Sequence, residues 1–179
     1  SFVFNDGVKW HDGEPFSAND VKFTYDLFLN PDTNSSRTAT LAERIAKVEA
    51  PDNSHVIFTL KAPNSSFLIG NLAYGIVPQH ILKDVAPKDI AQHPFSTGKK
   101  GVTIGTGPFM FEEWVKDDHV TLVKNPSYWR GAPNIDRWIY KVVPNSNLIA
   151  DQLKTGEIDY GAIDPSAVAD MQKQPNVVV

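Results

Sequence analysis

Cysteine is absent from this sequence of 179 residues. Its absence excludes disulfide bonds, thiolate-bound metals and a cysteine nucleophile, although it leaves the cellular compartment open. No apolar run approaches the ~18 residues of a membrane-spanning helix, and no secretion signal opens the chain. Basic residues number 17 against 21 acidic ones and form no block, so nucleic acid is not an expected partner.

Recognisable catalytic and metal-binding motifs are also absent. The five histidines show neither the His-Glu-x-x-His spacing of zinc enzymes nor a pair four residues apart, and no Gly-x-Ser-x-Gly motif supplies a nucleophilic serine. The sequence therefore predicts no metal, no cofactor and no enzymatic activity. One alternative stays open: His11 and Asp12, in the stretch "KWHDG", could serve a metal-dependent hydrolase.

The stretch "IGTGPFMF" resembles a phosphate-binding loop only in its glycines. No Lys-Ser/Thr pair follows them, and the apolar residues after the proline predict a strand where a phosphate loop would open a helix. We therefore expect Gly105 and Gly107 to allow a sharp turn into that strand.

The clearest helix signal follows the "KWHDGEPF" turn. Ser17 is typical of a helix N-cap, and Asp20, three residues later, is placed as its capping-box partner. Val21, Tyr25 and Phe28 then recur at helical spacing. A proline ends this helix, and the following "PDTNSSRTAT" is expected to be an exposed loop.

Two hairpins are predicted after this loop. The alternating runs "IAKVEA" and "HVIFTL" flank "PDNS", and "GTGPFMFEEWV" and "HVTLVKN" flank residues 116–118. Strands and short helices alternate among thirteen prolines and eleven glycines, so elements should be short. The predicted fold class is α/β of the mixed α+β kind, with mixed β-sheets, hairpins and flanking short helices.

Two further short helices have recognisable boundaries. The first should begin at Asn64 or Ser65 and be closed by Gly75. The second, in "NSNLIADQLKTGEID", should have Ser146 or Asn147 as its cap and end at Gly156.

Strand-like runs also mark the second half and the ends of the chain. "DYGAID" predicts a short strand, and the chain opens on "SFVF" and stops on "NVVV". Complete domains more often end in polar, frayed residues, so we expect a piece of a longer protein.

The stretch "FVFNDGVKWHDGEPFSANDVKFTYD" resembles the signature of extracellular solute-binding protein family 5, which serves bacterial peptide and nickel ABC transporters. Further similar stretches follow in the family's order: "KVEAPDNSHVIFTLKAPNSSFL", "IVPQHIL", "IGTGPFMFEEWVKDDHVTLVKNPSYWRGAPNIDRWIYKVVPN" and "LKTGEIDYGAIDP". Together they extend over essentially the whole chain.

The resemblance implies a fold and a function. Family members form two lobes around a cleft, so residues 1–179 are expected to be a single fragment of the first lobe, without the second lobe or the N-terminal signal. The implied function is to capture oligopeptides or dipeptides and deliver them to the membrane permease of an ABC importer. The implied location is the periplasm or the cell surface, with a lipid anchor conceivable in the full-length protein.

The resemblance also suggests ligand-binding positions. Relatives present to the cleft the loop after the "FLIGNLA" helix and the loop after the first helix, which correspond here to Tyr74 and Gly75 and to the surroundings of Arg37 and Thr38. Nickel-type relatives carry a basic residue near the Tyr74 position, and "LAYGIVP" has none, which weakens a nickel-chelate function. Sugars, opines, or a sensor or chaperone role remain alternatives within the family.

In this family the "KWHDG" turn is scaffold. We therefore hypothesise that His11 and Asp12 bond to local backbone, while Trp10 packs into the interior.

Overall fold

The computed structural model describes residues 1–179, which form two compact units. The first unit comprises Ser1–Trp114 and Val120–Ile139, and the second comprises Val115–His119 and Tyr140–Val179. Each unit is considered by itself below.

The first unit opens with a strand and a helix and continues through alternating short elements. In chain order these are β1 (Phe2–Val3), α1 (Ala18–Leu29), α2 (Thr38–Arg44), β2 (Ile45–Glu49), β3 (His55–Leu60), α3 (Phe67–Asn71) and α4 (Gln79–Leu82). Short 3-10 helices occupy Pro31–Thr33 and Pro87–Gln92.

The first predicted hairpin is confirmed. β2 and β3 pair antiparallel with Val48 opposite Phe58, and β1 pairs antiparallel with the other edge of β3, giving the strand order β1-β3-β2. One face of this sheet packs on α1, and the core includes Tyr25 of α1, Val56 of β3 and Leu41 of α2, each almost fully buried.

The capping box at the start of α1 is also confirmed. The Ser17 Oγ accepts a hydrogen bond from the Asn19 backbone N–H at 3.2 Å, and the Asp20 carboxylate accepts one from the Ser17 N–H at 2.8 Å. Unpaired N–H groups at a helix start are thus satisfied reciprocally by neighbouring side chains.

Strands β4 (Phe109–Val115), β5 (His119–Lys124) and β6 (Arg137–Lys141) form a second sheet in the order β4-β5-β6. The turn at residues 116–118 joins β4 to β5, and Asp117 there has a left-handed φ of 62°. This is the second predicted hairpin. The predicted fold class, small sheets with hairpins and flanking short helices, is therefore confirmed.

The second unit contains α5 (Asn147–Thr155) and α6 (Val168–Met171), preceded by a 3-10 turn at Pro165–Ala167. Ser146 is the N-cap residue of α5 and Gly156 ends it in the left-handed conformation with φ 72°, as the sequence predicts. Gly161 lies against this helix, and a Cβ at that position would be 2.6 Å from Cγ2 of Ile149.

The predicted strands at 159–164 and 176–179 are wrong, because no strand is assigned to either segment. Alternation of apolar residues is not sufficient for a strand, which also needs a neighbour to receive its backbone hydrogen bonds. Here residues of both segments instead line an open pocket of about 380 Å³, together with Leu153 of α5 and Met171 of α6.

Two helix boundaries also differ from expectation. α3 ends at Asn71 rather than at Gly75, and its N-cap residue is Ser66. Asn64 instead holds the preceding turn by accepting hydrogen bonds from Ser66. The predicted loop after α1 is partly helical, because α2 begins at Thr38 and buries Leu41 in the core.

Candidate functional site

Tyr74 and Arg37, predicted from different loops, lie together in the structure. The guanidinium Cζ of Arg37 lies over the Tyr74 ring, 5.2 Å from its centroid. On another side, the ring meets Phe28 of α1 edge-on with centroids 5.4 Å apart. The Tyr74 hydroxyl donates to the Gly70 carbonyl of α3 at 3.2 Å. The ring is thus held between two helices while remaining partly exposed.

Arg37 is exposed and stands at the N-cap position of α2. Its backbone N–H donates to the Ser35 hydroxyl at 3.2 Å, so the loop is ordered by its own short-range bonds. The next residue, Thr38, is half-buried, and its hydroxyl oxygen has no hydrogen-bond partner. Gly75 is exposed beside Tyr74, and its φ is not in the left-handed region.

Arg37 brings a positive charge to Tyr74 that the residues next to Tyr74 in the sequence do not supply. The stretch "LAYGIVP" contains no basic residue, yet Arg37 supplies a cation to the same place from α2. The absence of a local basic residue therefore does not leave this aromatic ring without a positive charge. An anionic group that approached the ring would meet the guanidinium, which can donate several hydrogen bonds.

Two exposed apolar side chains of α3, the helix whose Gly70 bonds to Tyr74, were not predicted as site residues. Leu68 and Ile69 of α3 are 58% and 85% exposed, and they precede the Gly70 that accepts from Tyr74. The sequence shows them only as part of an apolar helix, which is equally compatible with burial. Tyr74 and the segments that contact it thus expose one cation, one aromatic ring and two apolar side chains of α3.

His11 bonds to backbone, as predicted, but the predicted local position of those partners is wrong. Its Nε2 is 3.0 Å from the Gly107 carbonyl, and the Gly105 N–H donates to its Nδ1 at 3.0 Å. These partners belong to "GTGPF", far away in sequence. The chain bends at residues 106–108, directly before β4, although neither glycine has a positive φ. Both glycines also present backbone groups to the imidazole.

Because Gly105 donates to Nδ1, the neutral tautomer carries its proton on Nε2 and donates it to Gly107. Burial lowers the pKa of His11, an effect that the Gly107 carbonyl and the nearby Asp12 charge partly oppose. Both ring nitrogens are therefore engaged, and neither is available as a general base or a metal ligand.

The other residues of the turn also make structural contacts. Asp12 accepts from its local Glu14 N–H at 3.2 Å, as predicted, and pairs with His80 Nε2 at 2.8 Å. Trp10 is buried, as predicted, at 3% exposure, against the rings of Phe16 and His80. No group of three or more histidines, aspartates or glutamates is arranged to hold a metal ion. The geometry of "KWHDG" is that of a connector between segments.

None of the helices combines the length and the hydropathy needed to cross a bilayer.

Comparison with known proteins identifies the relatives of this chain. The family model for "Bacterial extracellular solute-binding proteins, family 5 Middle" matches residues 1–179. Among individual proteins, the chain is 37% identical over 155 residues to the oligopeptide-binding protein AppA of Bacillus subtilis, covering 86% of this chain and 28% of AppA. A Brucella ovis protein named for ABC transporter peptide binding is 38% identical over 162 residues, covering 90% of this chain and 30% of that protein.

Solved structures agree with this assignment. The structure of Bacillus subtilis AppA in complex with a nonapeptide matches with a TM-score of 0.87 and 33% identity, over 97% of this chain and 34% of that one. NikZ from Campylobacter jejuni, in complex with Ni(L-His), matches with a TM-score of 0.84 and 33% identity, over 97% and 34%. The chain spans about a third or less of the length of these relatives.

Proposed function

Because the chain belongs to family 5 of the bacterial extracellular solute-binding proteins, we propose that it forms part of the substrate-binding component of an ABC importer. In this proposal the whole protein captures oligopeptides or dipeptides in a cleft and delivers them to permease subunits in the membrane. The predicted family membership is confirmed. The ligand, the permease and the delivery step are the proposal.

The observation that carries the proposal is the match to AppA, a structure that holds a nonapeptide. The surface around Tyr74 supports a peptide ligand, since Arg37 suits carboxylates and carbonyl oxygens and the exposed face of α3 suits apolar side chains. We therefore propose Tyr74, Gly75, Arg37 and Thr38 as ligand-contacting positions.

Within the whole protein, residues 1–179 are proposed to form most of the first lobe. The chain matches only about a third of each relative, and the remaining length is enough for a second lobe. This supports the placement. Two lobes that hinge around a ligand are stabilised in the closed form because the ligand contacts both of them. Since one lobe supplies only part of those contacts, we expect residues 1–179 alone to bind peptide very weakly.

The proposed activity is binding without catalysis. The chain belongs to a family of solute-binding proteins, and both ring nitrogens of His11 are engaged by backbone groups. This occupancy disfavours the alternative of a hydrolase built on His11 and Asp12. The family is extracellular by description, and we propose the periplasm or the cell surface as the location, with a lipid anchor where the host has no periplasm.

A nickel chelate is the second candidate ligand. The observation that favours it is the cation that Arg37 places over Tyr74, a charge suited to an anionic metal chelate. The similarity to NikZ in complex with Ni(L-His) is compatible with the same function.

Native mass spectrometry of the full-length protein, purified without refolding, tests these alternatives. Heterogeneous adducts of several hundred daltons that fragment as peptides would support the peptide proposal. A single adduct with the isotope pattern of nickel would replace it with the chelate. If the protein carries no adduct, titration with a random nonapeptide pool and with Ni(II)–histidine distinguishes the two ligands. If the protein binds neither of them, both proposals are contradicted.

A further inference from the structure

Asn71, the last residue of α3, is a buried polar side chain that the proposed function does not use. It is 1% exposed, although the three residues before it in α3 are all exposed. A buried amide is costly unless its polar atoms are satisfied. Position 71 is held by two hydrogen bonds, one to the backbone carbonyl and one to the side-chain oxygen, and only the second depends on the side chain of asparagine.

The first bond comes from α1. The Tyr25 hydroxyl donates to the backbone carbonyl of Asn71 at 2.6 Å, and Tyr25 is itself 1% exposed. Burial raises the pKa of Tyr25 to about 12, with a smaller contribution from Tyr74, so the hydroxyl remains protonated and able to donate. This contact ties the end of α3 to the core helix.

The second bond comes from α2. The Arg44 guanidinium donates through Nη1 to the Asn71 side-chain oxygen at 2.8 Å. Arg44 is the last residue of α2, and Arg37 lies just before its first residue. A helix of seven residues is a short rigid rod, so holding one end constrains the other.

The residue next to Asn71 completes the connection. Gly70 accepts the hydrogen bond from the Tyr74 hydroxyl. Asn71 thus stands between the segment that carries Arg37 and the segment that holds Tyr74.

α3 has little else to hold it in place. It has five residues, and no side chain caps its N-terminus. Its only other buried residue is Phe67, which packs against Phe58 with ring centroids 5.7 Å apart. A helix this short is not stable by itself, so its orientation depends on these two attachments. Phe67 lies at the far end from Tyr74, which leaves Asn71 to set the near end.

We propose that Asn71 is a positioning residue for the ligand site, holding Arg37 and Tyr74 at the separation in which the guanidinium covers the ring. Its side-chain oxygen fixes α2 through Arg44, and its backbone carbonyl, which any residue would retain, fixes α3 through Tyr25. The consequence for ligand affinity rests on the proposed function, whereas the consequence for the geometry of Tyr74 does not.

The geometry is tested without any ligand, by fluorine NMR of full-length protein that carries fluorotyrosine only at position 74. Asn71→Ala should move or broaden this resonance toward its position in Arg37→Ala, while Asn71→Asp, which retains an acceptor for Arg44, should restore it. If Asn71→Ala does not fold, Arg44→Met replaces it in this test. It removes the donor of the hydrogen bond to the Asn71 side chain, and Arg44 is only partly buried. An unchanged resonance in Asn71→Ala or in Arg44→Met would overturn the proposal.

Asn125→Ala is the matched control. Asn125 is another buried asparagine of the same unit, 6% exposed, which donates to the Gly107 carbonyl and accepts from the Ser127 N–H. Its replacement should lower the melting temperature without moving the Tyr74 resonance. A shift as large as that in Asn71→Ala would show a general loss of structure and would also overturn the proposal.

Binding is measured separately, with one labelled nonapeptide chosen from a random pool for its binding to the wild-type protein. Asn71→Ala should weaken its binding about tenfold, which corresponds to about 1.4 kcal/mol, the order of one lost hydrogen bond. In a background that already carries Arg37→Ala and Tyr74→Ala, the same change should have no further effect. An equal loss in both backgrounds would overturn positioning through these two residues.

The two proposals fail differently. If no peptide in the pool binds the wild-type protein, the proposed function is contradicted while the ligand-free resonance still decides the role of Asn71. If peptide binds and the resonance of Asn71→Ala is unchanged, the proposed function stands and the positioning role does not.

Discussion

The guanidinium of Arg37 covers the ring of Tyr74 at 5.2 Å, although α2, β2, β3 and α3 separate the two residues along the chain. Arg37 takes part in none of the ion pairs of the structure. The pair therefore presents a cation that is oriented but not neutralised. Such a group is suited to an incoming carboxylate, carbonyl or anionic chelate.

Replacement of Tyr74 should weaken ligand binding by the full-length protein. We expect Tyr74→Ala to reduce affinity about tenfold, since an aromatic contact contributes about 0.5–1.5 kcal/mol beyond its buried area. Tyr74→Phe, which loses only the bond to Gly70, should have a smaller effect. Isothermal titration with the copurified ligand measures both. Tyr160→Ala, at an 82% exposed tyrosine of the second unit, is the control; unchanged affinity in Tyr74→Ala would remove Tyr74 from the site.

The capping residues of α1 should differ in their effect on stability. Ser17→Ala should lower the free energy of unfolding by about 1 kcal/mol, the usual effect of losing an N-cap. Asp20→Ala should cost more, about 2–4 kcal/mol, because the buried carboxylate also accepts from the Gln79 N–H at 2.9 Å. Urea denaturation compares the variants. Equal losses would show that the contact with Gln79 contributes nothing.

His11 should make stability depend on pH. Burial lowers its folded-state pKa below 6.5, so the unfolded state binds more protons in the window beneath that value. Stability from the neutral imidazole is therefore complete above about pH 6.5 and is lost as the pH falls through the folded-state pKa. Protonation of Nδ1 would also remove the acceptor for the Gly105 N–H.

The test is a series of urea denaturation curves between pH 7.5 and 5. His11→Gln offers a donor and an acceptor but does not titrate, so subtracting its curve removes contributions from other groups, including the pair formed by Asp12 and His80. The difference between wild type and variant should shrink or reverse toward low pH. A difference that is constant across the range would contradict the assignment. His11→Ala should be less stable at pH 7.5 by about 1–3 kcal/mol, since two backbone groups lose their partner.

Gly161 should tolerate no side chain. A Cβ there would be 2.6 Å from Cγ2 of Ile149 on α5, and this branched methyl cannot swing away as the end of a flexible chain would. We expect Gly161→Ala to destabilise the protein by about 1–3 kcal/mol through overpacking. Gly107→Ala, where nothing lies within 4 Å, is the matched control in a thermal unfolding measurement. Equal melting temperatures for the two variants would contradict the clash.

Local signals predicted much of the secondary structure. The box formed by Ser17 and Asp20, the hairpin around residues 51–54 and the left-handed Gly156 all depend on groups within a few residues of each other. The wrong predictions depend on distant partners. "DYGAID" has the alternation of a strand but no neighbouring strand, and α3 ends before Gly75 at Asn71, which bonds to α1 and α2.

Of the candidate site, the sequence predicted positions but not their arrangement. The resemblance to family 5 pointed to Tyr74, Gly75, Arg37 and Thr38, without indicating that the guanidinium covers the ring. No pattern in the sequence distinguishes the exposed Leu68 and Ile69 from buried helix residues, or marks Asn71 as the polar contact between them and the core.

By itself the sequence determined the family, the mixed fold class and the elements whose capping and turn residues lie side by side, because such interactions act over a few positions of the chain. Only the tertiary structure decided that His11 bonds to Gly105 and Gly107, that Arg37 meets Tyr74 and that Asn71 joins α1, α2 and α3. Those contacts link residues far apart in the chain, and the burial of the shared core around Tyr25 and Leu41 brings them together.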